Sequence, residues 1–156
     1  AVNSLSKTYS IPGIRVGWVA SNTKVANILR DYRDYTMICA GVFDDMVATL
    51  VLENKEAILE RNRQIIEENL ALMDEWIAKE PKASWIRPAS VSTSFVKLDV
   101  DRPIEVFALE LLQEYGVLVV PGNRFDKESH VRIGYCCDKE VLQKGLEKLS
   151  QFLNKC

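Results

Sequence analysis

The sequence predicts a mixed α/β chain whose C-terminal half is a small α+β layer, a short, mostly antiparallel sheet with helices on one face. Three observations carry this expectation. Residues 55–79 hold the longest helical pattern, and Pro81 stops it. Beyond Pro81 the pattern changes to short apolar segments in the order strand, helix, strand, strand, helix. The last of these, Lys139 to Leu153, is amphipathic through Val141, Leu142, Leu146, Leu149 and Phe152.

The chain has 156 residues, a length that suits one domain and suffices to bury a core without staples. Apolar residues are 47% and charged residues 27%, an ordinary globular balance. A net charge of −2 points to neither nucleic acid nor an anionic membrane surface. No apolar run approaches the length that spans a bilayer, and Ala1-Val2-Asn3 opens no secretory signal pattern. The four cysteines, Cys39, Cys136, Cys137 and Cys156, fit no zinc spacing, and no metal is expected. Free thiols in a reducing cytoplasm are expected, with one of Cys136 and Cys137 buried if both lie on a strand.

Taken in order, Val16 to Ala20 is an apolar run that reads as a strand. Without neighbouring strands it is an exposed apolar edge. Ser21-Asn22-Thr23 can cap a helix from about Lys24 to Thr36, with Val25, Ile28, Leu29 and Tyr32 inward. A second helix is expected from Asp44 to Leu52, with Met46, Val47, Leu50 and Val51 inward. The long helix aligns Ile58, Leu59, Ile65, Ile66, Leu70, Met73, Trp76 and Ile77 in one stripe. Ala83 to Ile86 and Thr93 to Leu98 read as strands. Pro103 opens a helix to about Tyr115, with Val106, Phe107, Leu111 and Leu112 inward, and Gly116 ends it. Val117 to Val120 is a buried strand, Pro121-Gly122 a turn, Asn123 to Ser129 a polar loop and His130 to Tyr135 the last strand.

The chemistry concentrates in the first eighteen residues, which contain S-x-S-K-x-x-x-x-P-G-x-R-x-G-W from Ser4 to Trp18. Each part alone is bland: a lone lysine is ordinarily a solvated surface residue, and Pro-Gly alone marks a turn. Pro12-Gly13 suits a type II turn, with Pro fixing φ and Gly accepting φ > 0. Such a turn would bend Arg15 back toward whatever anion Lys7 approaches. Arg132 stands in the middle of a short apolar strand. There it either meets an anion or lies on an edge strand facing solvent or a glutamate. His130, the lone histidine, reads as a solvent-side strand residue.

The Ser4–Trp18 run resembles the Schiff-base lysine region of fold-type I pyridoxal-phosphate-dependent enzymes, class I/II aminotransferases in particular. The segment after Pro81 likewise resembles the small C-terminal domain of that family. The resemblance implies pyridoxal 5'-phosphate as cofactor, with Lys7 as the Schiff-base lysine. Ser4 and Arg15 then hold the phosphate, with Ser6 a weaker candidate, and Arg132 clamps the substrate α-carboxylate. Lysine suits such a task because its amine is a nucleophile with an adjustable pKa that can also move a proton. Arginine suits the two anions because its planar fork matches their oxygens. Phe125, in the Pro121–Phe125 loop, falls where the family approaches the substrate side chain.

On this resemblance residues 1–54 are the tail end of the large cofactor-binding domain, 55–80 a long connecting helix, and 81–156 the small α+β domain. The chain is then the C-terminal part of a cytoplasmic, homodimeric transaminase acting on an amino acid and a 2-oxo acid, nearly inactive by itself. Two alternatives stay open. One is a lyase or synthase of the same fold, such as a C–S lyase or an aminocyclopropane-carboxylate synthase, and the other is a non-catalytic domain that binds a small ligand or partner.

Overall fold

A computed structural model describes residues 1–155 and divides the chain into two compact units, Ala1–Arg63 and Gln64–Cys156. In the first, β1 (Val2–Ser4) pairs antiparallel with β2 (Gly17–Val19), in the register Val2↔Val19, Asn3↔Trp18 and Ser4↔Gly17. Gly17 is required by this approach, because a Cβ there would stand 2.7 Å from the Asn3 carbonyl oxygen. Leu5 N–H donates to the Val16 carbonyl at 3.1 Å and carries the ladder one residue further. The strand expected to be an exposed edge has one neighbour, Val2–Ser4, which sequence patterning did not flag as a strand, and Gly17, Trp18 and Val19 are exposed.

Helix α1 (Thr23–Thr36) starts where expected, with the Asn22 side chain accepting from Val25 N–H. Helix α2 spans Val42–Glu53. The buried core of this unit is Leu5, Ala48 and Val51, with Tyr9, Ile11, Ile14, Val16 and Ile58 packed against it. Val25, Ile28, Leu29 and Tyr32, expected to face inward, are all exposed, as are Met46, Val47 and Leu50. Their spacing specifies a helix but not what covers it. On α2 Val51 is buried as expected, and Ala48 joins it; these are the positions that meet Leu5.

Helix α3 (Lys55–Lys79) has the expected bounds, and the division between the units falls within it. Leu70, Met73 and Trp76 belong to the core of the second unit. Its sheet runs β3 (Ala83–Trp85), β4 (Thr93–Leu98), β6 (His130–Gly134), β5 (Val120–Pro121), with every pairing antiparallel. Alternation decides the faces. Ser94, Val96 and Leu98 of β4 and Val131 and Ile133 of β6 are buried. They share a core with Ile104, Phe107 and Leu111 of α4 (Ile104–Tyr115) and with Leu142, Leu146, Leu149 and Phe152 of α5 (Lys139–Lys155). Gly116 ends α4 at φ 67°, the left-handed conformation glycine takes cheaply. Phe95, His130 and Arg132 point to the other face.

Several expectations are corrected here. The strand foreseen over Val117–Val120 shrinks to Val120–Pro121, because pairing with β6 runs only from Val120↔Arg132 to Pro121↔Val131. Leu118 is exposed, and so is Ile86 beyond the end of β3. Val106, Leu112 and Val141, at the edges of their helical stripes, are exposed too. Cys136 and Cys137 lie past the end of β6, so strand alternation does not apply and both thiols are exposed, as is Cys39. Cys156 lies outside the described residues. A buried amide shapes this turn: Asn69 Nδ2 donates to the carbonyls of Tyr135 at 2.7 Å and Cys137 at 2.8 Å. Among the described residues, no helix is long and apolar enough to cross a membrane.

Candidate active site

Lys7 stands on the turn that follows β1. Leu5, fully buried against α2, anchors the turn from below. Ile11 N–H closes it by donating to the Leu5 carbonyl at 3.1 Å, and Ser10 N–H donates to the Lys7 carbonyl at 3.2 Å. Asn62 of α3 donates its Nδ2 to the Thr8 carbonyl at 3.1 Å. Lys7 is thus an exposed residue on a turn fixed on both sides, and its amine has no hydrogen-bond or ion-pair partner among the described residues.

Arg15 reaches this turn along the neighbouring segment. The ladder Ser4↔Gly17 and Leu5→Val16 brings Ser6 and Arg15 to the next positions on the two segments. The backbone between them differs from expectation. Pro12–Ile14 forms a 3-10 turn, and Gly13 does not take positive φ. The left-handed residue is Arg15 itself, at φ 44° and ψ 36°. Its Nη1 donates to the Pro12 carbonyl at 2.6 Å, which holds the guanidinium to its own turn. Ser4 and Ser6 are half-buried. Lys7, Ser4, Ser6 and Arg15 therefore all lie on the two ladder segments and the turn between them.

The donor set fits a phosphorylated aldehyde. It contains one uncommitted primary amine for the carbonyl, and a guanidinium with serine hydroxyls for the phosphate oxygens.

Arg132 belongs to the second unit. Strand β6 lies between β4 and β5, so Arg132 is not on an edge strand. It is exposed, and its guanidinium meets no carboxylate among the described residues. The guanidinium carbon lies over the Phe125 ring, 5.2 Å from its centroid. His130 stacks on Phe95 at 4.9 Å, and Ser129 Oγ lies 3.3 Å from its Nδ1. Burial lowers the His130 pKa from its ordinary value, and the Lys127 and Lys97 charges lower it further.

Sequence reasoning missed three residues that shape these places: Asn62, Asn69 and Phe95. The signal for the asparagines was present. Asn62 and Asn69 fall on the apolar stripe of α3, at i+4 from Ile58 and i+3 from Ile66. A polar residue on such a stripe asks for a buried partner.

Residues 1–149 match the family described as aminotransferase class I and II. A capreomycidine synthase of Streptomyces vinaceus is 30% identical over 151 residues, which is 96% of this chain and 39% of that protein. A probable N-acetyl-LL-diaminopimelate aminotransferase of Bacillus subtilis is 26% identical over 163 residues, 99% of this chain and 40% of its own length. A solved PLP-dependent aminotransferase from Streptococcus suis superposes with a TM-score of 0.97 at 68% identity, over 99% of this chain and 41% of its own. The chain thus spans about 40% of the length of the curated relatives it matches. Its mixed α/β fold, with a four-stranded antiparallel sheet, is shared with PLP-dependent aminotransferases. On this match the chain belongs to the class I and II aminotransferase family.

Proposed function

We propose that the polypeptide carrying this chain is a pyridoxal-phosphate-dependent aminotransferase that moves an amino group between an amino acid and a 2-oxo acid. Lys7 holds the cofactor and carries the proton at the substrate α-carbon. Arg15, with Ser4 and Ser6, takes the phosphate, and Arg132 takes the α-carboxylate. Residues 1–54 belong to the cofactor domain, 55–80 to a connecting helix and 81–156 to the small domain. The assembly is a cytoplasmic homodimer.

The observation that supports this most directly is the Lys7 turn: a lysine amine with no described partner, on a backbone pinned by Leu5 and Asn62, inside a family match over residues 1–149. Bound there, pyridoxal phosphate supplies an aldehyde for the amine and a ring that accepts the electron pair released when the α-proton leaves. The chain supplies position. A pinned turn limits the directions from which Nζ can approach, and fixed geometry is worth several orders of magnitude in rate. The amine then acts as base and acid at the α-carbon. A carboxylate bound by the Arg132 fork orients the α-carbon substituents.

The test is Lys7→Ala in the full-length polypeptide. The expected result is loss of the visible absorbance of lysine-bound cofactor and loss of turnover by at least about a thousandfold, in line with removal of an essential nucleophile. Retained turnover would overturn the reading. A second reading has specific support, since one relative is named a synthase. Incubating the full-length polypeptide with amino acid alone separates the two. Transfer of the amino group to the cofactor marks transamination, whereas free ammonia with a 2-oxo acid marks a lyase.

A further inference from the structure

We propose that Phe125 is a positioning residue for Arg132, an aromatic shelf that sets the guanidinium without occupying its hydrogen-bond donors. The inference rests on the reading of Arg132 as the carboxylate ligand.

The arginines of this unit are treated in two ways. Arg87 meets Asp74, Arg102 meets Glu110 and Arg124 meets Glu105. Arg132 meets a ring instead, at 5.2 Å. That distance lies within the range at which a guanidinium is attracted to an aromatic face. A carboxylate partner would consume the N–H groups and oppose an incoming anion. A ring attracts the same charge through its quadrupole and supplies no conventional acceptor, so the fork remains free. Without some such contact an exposed arginine loses more side-chain entropy when a ligand fixes it.

The shelf is itself fixed. Phe125 ends the 3-10 turn Gly122–Phe125, which Lys127 N–H closes by donating to the Gly122 carbonyl at 3.0 Å. Gly122 is walled in: a Cβ there would stand 2.3 Å from the Lys127 oxygen and 2.4 Å from the His130 oxygen. Glu105 of α4 accepts from Asn123 at 2.9 Å and also binds Arg124, tying the turn to the helix. Phe95 meets Phe125 edge-on, with centroids 5.8 Å apart and planes at 83°. Phe95 is also the residue directly opposite Arg132 in the β4–β6 register, so the buttress and the cation share one face. His130 closes the row by stacking on Phe95.

The test uses the full-length polypeptide with Phe125→Leu, Phe125→Trp and Arg132→Ala. Phe125→Leu keeps an apolar side chain and removes the ring. It should raise KM for the amino acid about two- to fivefold. It should leave kcat within a factor of two, because the carboxylate is held alike before and during reaction. Phe125→Trp should restore KM to within a factor of two of the parent, which a merely structural role would not predict. Arg132→Ala should raise KM by more than about tenfold. In parallel, the Arg132 Nε–H proton resonance of this chain should move in Phe125→Leu and move back in Phe125→Trp. If Arg132→Ala raises KM while Phe125→Leu changes neither KM nor the resonance, the shelf is overturned and the carboxylate reading stands. If Arg132→Ala leaves KM unchanged, the carboxylate reading falls and the shelf falls with it.

Discussion

In Gln64–Cys156 the apolar stripes of α4 and α5 find cover: Phe107, Leu111, Leu149 and Phe152 are buried with Val96 and Val131 of the sheet. In Ala1–Arg63 the equally regular stripe of α1 buries no residue at all. All three helices were legible from the same spacing rule, so spacing reports periodicity, and burial depends on what stands opposite. The first unit concentrates its packing where the Lys7 turn needs it, at Leu5, Ala48 and Val51, and leaves the rest of its apolar surface open.

One leucine from each unit tests the contrast most sharply. Leu111→Ala empties a fully buried site on α4 and should cost about 2–5 kcal/mol of unfolding free energy in urea. Leu29→Ala removes a side chain that is 45% exposed and should cost no more than about 0.5 kcal/mol. A comparable loss at both positions would mean that α1 is covered in solution.

A pair of asparagines probes the same difference through polar groups. Asn69 is buried and holds two carbonyls, so Asn69→Ala should cost about 1–3 kcal/mol by orphaning them. Asn62→Ala removes one bond in an exposed setting and should cost about 0.5–1 kcal/mol. Its effect should appear as faster amide exchange around Thr8 rather than as a shifted midpoint.

The smallest effect belongs to pH. His130 has a lowered pKa, so the folded state holds its proton less tightly than the unfolded chain does. Stability from this source is present above the ordinary histidine value and is lost as pH falls through it toward the lowered one. Melting temperature should therefore fall less steeply for His130→Phe than for the parent between about pH 7 and pH 5.

Much of the fold was readable from local chemistry. Asn22 before α1, Pro81 after α3, Pro103 before α4 and Gly116 after it each mark a boundary through a backbone property they carry themselves. The losses came where long-range pairing decides. Val2–Ser4 is strand only because Gly17–Val19 lies beside it. Val117–Leu118 is not strand, because β6 pairs no further than Val120. The Lys7 turn was readable as a motif, and Asn62 as a polar residue on an apolar stripe, but that Leu5 and Asn62 both support the turn was not, since this depends on α2 and α3 arriving there. Arg132 was legible as an anomaly in an apolar strand. Its aromatic neighbours required the β4–β6 register and the 3-10 turn.

The conformation of Arg15 carries a consequence for protein engineering. A residue with a Cβ at φ 44° gives up about 1–2 kcal/mol that glycine would keep. Libraries selected for thermal tolerance alone should thus drift toward glycine at codon 15. On the phosphate role proposed for Arg15, libraries selected for turnover should retain arginine, so the codon usage recovered there would show which pressure a screen had applied.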